Sequence, residues 1–190
     1  EAATDYSETV AFGAGYSVTS PTIEGYTASQ TVVSGTMPDD DVTVTVMYTA
    51  NEHTLTIHYV YADGSEAATD YSKTLAFGAE YRVTSPTIEG YTASQTVVSG
   101  TMPDDDVTVT VTYTANEHTL TIHYVYADGS EAATDYSATV AYGAGYSVTS
   151  PVIAGYTADQ TVVSGTMPDD DVTVTVTYTA NEHTLTIHYV

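Results

Sequence analysis

Three runs of acidic residues are the strongest candidates for chemistry in this sequence. Several carboxylates in one flexible loop form the oxygen-rich surroundings that Ca²⁺ prefers. Consecutive aspartates lack the alternating spacing of an EF-hand loop, so the runs also fit solvated turns whose charge keeps a neighbouring Val/Thr strand from aggregating. Calcium is the only cofactor that the sequence suggests. The runs are Asp39, Asp40 and Asp41; Asp104, Asp105 and Asp106; and Asp169, Asp170 and Asp171.

The remaining reactive residues do not form a catalytic pattern. His53 and His58 lie five residues apart, and on a strand that spacing places them on opposite faces, so they cannot chelate one metal within the strand. There is no cysteine, and no Ser-His-Asp arrangement, glycine-rich phosphate loop or catalytic carboxylate pair stands out. We therefore predict that the protein is not an enzyme.

Intramolecular crosslinks between side chains are a further chemical possibility. Lys73 is the only lysine, which excludes a Lys–Asn isopeptide bond as a repeated feature. Gln30, Gln95 and Gln160 occur once per repeat among many threonines, so a Thr–Gln ester stays open.

The elements that position these residues recur along the chain. Identical E-A-A-T-D-Y-S blocks begin at Glu1, Glu66 and Glu131, a period of 65 residues. If a domain begins at the strand His53–Tyr61, residues 53–117 and 118–182 are complete repeats. Residues 1–52 are then a repeat without its first strand, and 183–190 are the first strand of a following repeat. We favour an excerpt of a longer array; the alternative is that the last strand completes the open repeat of another chain.

Alternating apolar and polar residues predict a β-rich fold. Leu55, Ile57 and Tyr59 face one side of the strand His53–Tyr61, and Val107–Thr114 has the same pattern. Further strands are predicted over 71–77, 81–83 and 92–99, with one possible helical turn near Ala67–Ser72. We therefore predict an all-β or β-rich α+β fold, a tandem array of small, mainly antiparallel, β-grasp-like domains forming an elongated rod.

A short polar segment between consecutive repeats is predicted to be the hinge that sets the stiffness of this rod. Three residues between two strands allow little freedom. The hinge residues are Ala50, Asn51 and Glu52; Ala115, Asn116 and Glu117; and Ala180, Asn181 and Glu182.

The charge of the chain excludes several partners. Lys and Arg total 2 against 25 Asp and Glu, giving a net charge of −23. Nucleic acids and anionic membrane surfaces both require Lys and Arg to neutralise phosphates, so neither is expected. No apolar run reaches transmembrane length, and we expect no membrane insertion in this segment.

The order of the motifs resembles the mucin-binding protein (MucBP) repeat of Gram-positive surface proteins. The matching elements are the turn Asp63-Gly64, the segment Gly78–Tyr81, the turn Gly90-Tyr91 and the acidic loop and last strand Asp104–Tyr113. The resemblance covers nearly all of each repeat. It implies a ubiquitin-like β-grasp or related β module, displayed outside the cell on a long adhesin. The near absence of lysine departs from the family pattern.

Two functions follow as expectations. Regular repeats and short linkers favour a structural stalk or fibre of a bacterial surface protein, with neighbouring repeats or identical chains end to end as partners. The alternative is a multivalent adhesin module that binds mucin-type glycans or host glycoproteins. Many threonines are predicted to face outward on the strands. The preference of threonine for β-strands explains their number, and O-linked glycosylation is the alternative explanation.

Overall fold

A computed structural model describes residues 2–190, which contain strands and turns and no helix. None of this part of the chain could therefore cross a membrane as a helix. The strands are β1 (Gly15–Thr19), β2 (Tyr26–Ala28), β3 (Val32–Thr36), β4 (Tyr48–Ala50), β5 (Glu52–Tyr61), β6 (Glu66–Ala76), β7 (Glu80–Thr84), β8 (Tyr91–Ala93), β9 (Val97–Thr101), β10 (Val107–Ala115), β11 (Glu117–Tyr126), β12 (Glu131–Ala141), β13 (Gly145–Thr149), β14 (Tyr156–Ala158), β15 (Val162–Thr166) and β16 (Val172–Ala180).

The chain divides into two compact units, which are described separately. The first consists of residues up to 86 together with 95–112, and the second of 87–94 together with 113–190.

The second unit contains a four-stranded sheet with the order β12-β11-β16-β14. Its two central strands, β11 and β16, run parallel, with Leu120 opposite Val172 and Tyr126 opposite Tyr178. The outer strands β12 and β14 pair antiparallel with these central strands. Most strand pairs are therefore antiparallel, as predicted, and the central parallel pair is the exception.

A separate two-stranded sheet, β13 with β15, contributes the other side of the core. Alternation along β11 and β16 directs every second side chain inward. The inward residues at the centre of the unit are almost completely buried, whereas Val172 and Val174 are half-buried. Burying an aliphatic side chain of this size contributes about 1.5–3 kcal/mol. The buried cluster consists of Leu120, Ile122, Tyr124, Val163, Met167, Val176 and Tyr178.

The first unit contains three strands in the same order and a separate two-stranded sheet. Strand β5 lies between β6 and β10, and β7 pairs with β9. Its buried residues include Leu55, Ile57 and Tyr59 of β5, on the face predicted from the alternation. In the first repeat, β1 pairs with β3 and β2 pairs with β4, while residues 42–46 lie outside any strand.

Three sequence predictions were wrong in detail. Residues Ala67–Ser72 are not a helical turn, because they belong to β6, which pairs with β5 with register shifts near Tyr59. The strand predicted over 92–99 is two strands, β8 and β9, separated by a bend at Ser94. The predicted three-residue linkers shorten to one residue, because strands extend through Ala50 and Glu52, and through Ala115 and Glu117.

Candidate functional site: the joint between repeats

A single asparagine separates the last strand of one repeat from the first strand of the next. Asn51 lies between β4 and β5, and its backbone N–H donates to Gly25 O at 2.8 Å. Its carbonyl accepts from Phe77 N at 2.7 Å. The linker residue is therefore held on one side by the turn of the preceding repeat and on the other by the residue after β6.

The second joint has the same backbone contacts around Asn116. Its N–H donates to Gly90 O at 2.8 Å, and its carbonyl accepts from Tyr142 N at 2.7 Å. Both joints thus fix the linker backbone in the same way, since each polar backbone group has a partner.

The side chain of the linker asparagine joins the two repeats as well. An amide carries both an acceptor and a donor. Asn51 Oδ1 accepts from Thr27 Oγ1 at 2.7 Å, whereas Asn51 Nδ2 donates to Asp104 Oδ1 at 2.8 Å. At the second joint, Asn116 contacts Thr92 at 2.7 Å and Asp169 at 3.0 Å. An aspartate lacks the donor for the second of these contacts, so asparagine suits the position.

Asp104, the first aspartate of its run, accepts hydrogen bonds from three different segments. Besides Asn51, Gly25 N donates to its Oδ2 at 3.2 Å and His53 Nε2 lies 2.9 Å from its Oδ1. The hydrogen bonds from Asn51, His53 and Gly25 N favour the ionised carboxylate and lower its pKa.

Asp169 is the equivalent residue of the second joint, with His118 Nε2 at 2.9 Å from its Oδ1. Hydrogen bonds from Asn116, His118 and Gly90 N lower its pKa in the same way. The third aspartate of the second and third runs binds the backbone near the start of the first strand of its own repeat, β5 or β11. Asp106 Oδ1 accepts from Thr54 N at 2.6 Å, and Asp171 Oδ1 accepts from Thr119 N at 2.6 Å.

An aromatic ring covers a glycine at each joint. Gly25 has φ of +75° and Gly90 has φ of +74°, a backbone conformation that side chains with a Cβ rarely adopt. A Cβ on Gly25 would lie 2.3 Å from the ring of Phe77, and one on Gly90 would lie 2.2 Å from the ring of Tyr142. Both glycines are buried by this contact.

The same rings make edge-to-face contacts with the tyrosine that follows each glycine. The centroids of Tyr26 and Phe77 are 5.7 Å apart with the planes at 79°, and those of Tyr91 and Tyr142 are 5.7 Å apart at 82°. Such pairs contribute about 0.5–1.5 kcal/mol beyond the area that they bury.

The predicted site residues fall into three groups. Residues 104–106 and 169–171 flank the joints, where their first and third aspartates accept the hydrogen bonds described above. Asp39 and Asp40 form a bend after β3, and Asp41 follows it outside any strand. Across residues 2–190, no group of three or more His, Asp and Glu side chains is arranged to hold a metal ion. The hinge residues Asn51 and Asn116 are at the centre of the joints.

Sequence reasoning missed several residues of the joint. It did not connect Gly25, Thr27 or Phe77 with the linker, although the repeated Gly-Tyr turn and the aromatic residue before each Gly-Ala were visible. The two histidines of β5 contact different aspartates: His53 contacts Asp104, and His58 Nδ1 lies 2.7 Å from Asp70 Oδ2. The interaction of His53 with the acidic run could not be read from spacing, because 51 residues separate the two.

Comparison with known proteins gives matches along nearly the whole chain. Internalin J of Listeria monocytogenes serovar 1/2a is 34% identical over an alignment of 114 residues, and the match covers 56% of this chain and 13% of that protein. A MucBP domain from Lactobacillus acidophilus is 27% identical, covers 35% of this chain and 92% of its own, and has a TM-score of 0.30. The Bacillus anthracis TIE protein is 13% identical over 87% of this chain and 41% of its own; its TM-score of 0.53 shows a related fold.

Family models agree with this result. The Muc B2-like domain matches residues 2–52. The MucBP domain matches residues 54–114 and again residues 119–179, which together make up more than half of the sequence. The chain therefore belongs to the MucBP domain family and is a tandem array of its repeats.

Proposed function

We propose that this chain is a non-enzymatic, extracellular segment that acts as a structural stalk or fibre of a bacterial surface protein. The observation that carries the proposal is the joint. One linker residue, Asn51 or Asn116, is held by backbone and side-chain hydrogen bonds to both flanking repeats. A flexible string of domains needs none of these contacts.

The contacts at a joint act against bending in different directions. The ring of Tyr142 covers Gly90, while Asp169 accepts hydrogen bonds from the linker and from Gly90 N. Each neutral hydrogen bond contributes about 0.5–1.5 kcal/mol, and those to a carboxylate contribute more. Bending the chain at Asn116 would have to break several of these contacts together, which favours a stiff joint.

The family and the charge support placement outside the cell. Internalin J, the relative named above, is a protein of a Gram-positive bacterium, and the chain spans 13% of its length. The net charge of −23 adds repulsion between neighbouring chains, which favours separate projecting segments over lateral aggregates.

Electron microscopy and small-angle scattering of the purified chain test the stalk. The expected result is a rod of constant end-to-end distance. Insertion of Gly-Ser-Gly-Ser after Asn116 should broaden the distance distribution. The same insertion between Asp128 and Gly129, in the exposed turn between β11 and β12, is the matched control and should not. A globular particle, or equal broadening by both insertions, would contradict the proposal.

The second candidate is a multivalent adhesin module for mucin-type glycans or host glycoproteins. Membership of the MucBP family supports it, as does repetition, because several weak sites on one chain bind together more tightly than one. A glycan array probed with the chain at high valency should show binding to mucin-type glycans. If no glycan on the array binds, the adhesin proposal fails and only the stalk proposal remains. A related proposal is that outward-facing threonines carry O-linked glycans. The intact mass of the protein from its native source would then exceed the mass of the bare chain.

End-to-end polymerisation by strand exchange is a finer form of the stalk proposal. Residues 183–190 repeat the sequence of the first eight residues after Glu52 and after Glu117, yet they lie outside any strand. Leu185 is 83% exposed, whereas the equivalent Leu120 is fully buried. Val42 and Val44 are also exposed. Solution mass measured against concentration tests the exchange: it should rise with concentration, and should not rise in Leu185→Asp.

Calcium binding by the acidic runs also stays a proposal. Asp104 and Asp106 already accept protein hydrogen bonds, and a calcium ion would compete for the same oxygens. If the ion binds, the melting temperature should rise on addition of Ca²⁺ and fall back with a chelator. Equal melting in both conditions would exclude a stabilising calcium site.

A further inference from the structure

The aromatic residue that covers the joint glycine differs between repeats. It is Phe77 at the first joint and Tyr142 at the second, and each contacts a tyrosine of the preceding repeat in nearly the same geometry. The first joint therefore pairs a phenol ring with a phenyl ring, Tyr26 with Phe77. The second pairs two phenol rings, Tyr91 with Tyr142. Phenols, unlike phenyl groups, are readily oxidised by one electron.

We propose that Tyr91 and Tyr142 form an oxidative crosslinking site, where a peroxidase-type oxidant joins the two rings as dityrosine and ties two consecutive repeats covalently. The geometry of the joint carries this inference. The rings meet edge to face at 5.7 Å between centroids, and both are half-buried, so they are held as neighbours yet remain accessible. The inference requires this joint geometry and does not depend on the stalk proposal.

The reaction balances with hydrogen peroxide as the oxidant. Each phenol loses one electron and its hydroxyl proton and becomes a phenoxyl radical. The two radicals couple through the ring carbons next to the hydroxyls, and the hydrogens on those carbons move to the oxygens, which restores both phenols. One carbon–carbon bond forms, the protein loses two hydrogen atoms, and one hydrogen peroxide is reduced to two waters.

Gly90 makes the approach of the rings possible. Because it lacks a Cβ, the ring of Tyr142 can lie against its backbone and reach Tyr91, the next residue. A second pair of tyrosines, Tyr126 and Tyr156, has centroids 4.7 Å apart, but both belong to the third repeat. A crosslink between them would not join two repeats, and peptide mapping separates the two products.

The test uses the whole chain, treated with peroxidase and hydrogen peroxide at low protein concentration so that coupling within one chain dominates. We expect dityrosine fluorescence, an intact mass lower by two hydrogens per crosslink, and, after cleavage at acidic residues, a linked peptide pair containing Tyr91 and Tyr142. Absence of that pair from the oxidised chain would overturn the proposal.

Two variants use residues that the repeats already contain at the same position. Tyr142→Phe copies the first joint and should abolish the linked pair between the repeats. Phe77→Tyr copies the second joint and should create a new linked pair with Tyr26. A Phe77→Tyr chain that folds normally but gives no such pair would show that the joint geometry does not direct coupling, which contradicts the proposal.

Discussion

Substitution of the joint glycine offers a sharp test of how the repeats are held together. Gly90 and Gly155 occupy the same turn in consecutive repeats, with φ of +74° and +79°. The ring of Tyr142 covers Gly90, whereas nothing lies within 4 Å of a Cβ built on Gly155. We expect Gly90→Ala to open the joint and Gly155→Ala to leave it intact.

The two substitutions share one cost and differ in another. Placing alanine at a positive φ costs roughly 1–2 kcal/mol in either turn. At Gly90 the new Cβ would also lie 2.2 Å from the Tyr142 ring, so the ring must move away. This forfeits the edge-to-face contact with Tyr91, about 0.5–1.5 kcal/mol, together with part of the burial of the ring. The expected excess for Gly90→Ala is about 1–2 kcal/mol, or roughly fivefold to thirtyfold in an equilibrium constant.

Two measurements separate these contributions. Denaturant unfolding gives the difference in free energy between the two variants. Because the chain has no cysteine, single cysteines at the exposed residues Glu89 and Glu131 can carry spin labels, whose distance distribution should broaden in Gly90→Ala. If both variants lose equal stability and keep a narrow distribution, the ring contact does not hold the joint, and the reasoning is refuted.

Three further predictions concern Asp169, the buried core and the linker asparagine. The folded-state pKa of Asp169 lies below the ordinary 3.8, so the stability that its ionised form contributes is present above about pH 4 and is lost as the pH falls through the lowered pKa. Asp169→Asn should therefore reduce the loss of unfolding free energy at acidic pH. An equal loss in the variant and the original chain would contradict this prediction. Leu120→Ala should cost about 2–5 kcal/mol in unfolding free energy, whereas Leu185→Ala, in the same sequence motif but exposed, should change it by less than about 0.5 kcal/mol. Asn116→Asp should weaken the joint, because it places a second carboxylate beside Asp169. The distance distribution between the same two spin labels should broaden in this variant. A distribution that stays narrow would show that the amide is dispensable.

Much of the fold could be predicted from the sequence, because strand alternation is a local signal. The inward faces of β5 and β10 follow directly from Leu55, Ile57, Val111 and Tyr113, which are all buried. The parallel pairing of the first and last strands of a repeat could not be predicted, since alternation does not specify which strands become neighbours. The helical turn near Ala67 was wrong for a related reason: Ala-Ala has helical propensity, but pairing with β5 outweighs it.

The candidate site was less predictable than the fold. The linker asparagine could be located from the sequence, as could the acidic run, but their hydrogen bond joins residues 53 positions apart. The run was interpreted from its own composition, as a calcium loop or a solvated turn. Its use as an acceptor for Asn51, His53 and Gly25 depends on the turn of one repeat meeting the loop of the next.

The position of the linker changes what a hinge can mean in this chain. Strands extend up to Asn116 on both sides, so no free segment is left to bend. The groups that hold this residue come from three places: the turn at Gly90 with the adjoining Thr92, the residue after β12 at Tyr142, and the loop at Asp169. Because all three meet at one residue, a small rotation there strains each of them, and losing one contact weakens the others. We therefore expect the joint to open cooperatively, with closed and open states and few intermediate angles.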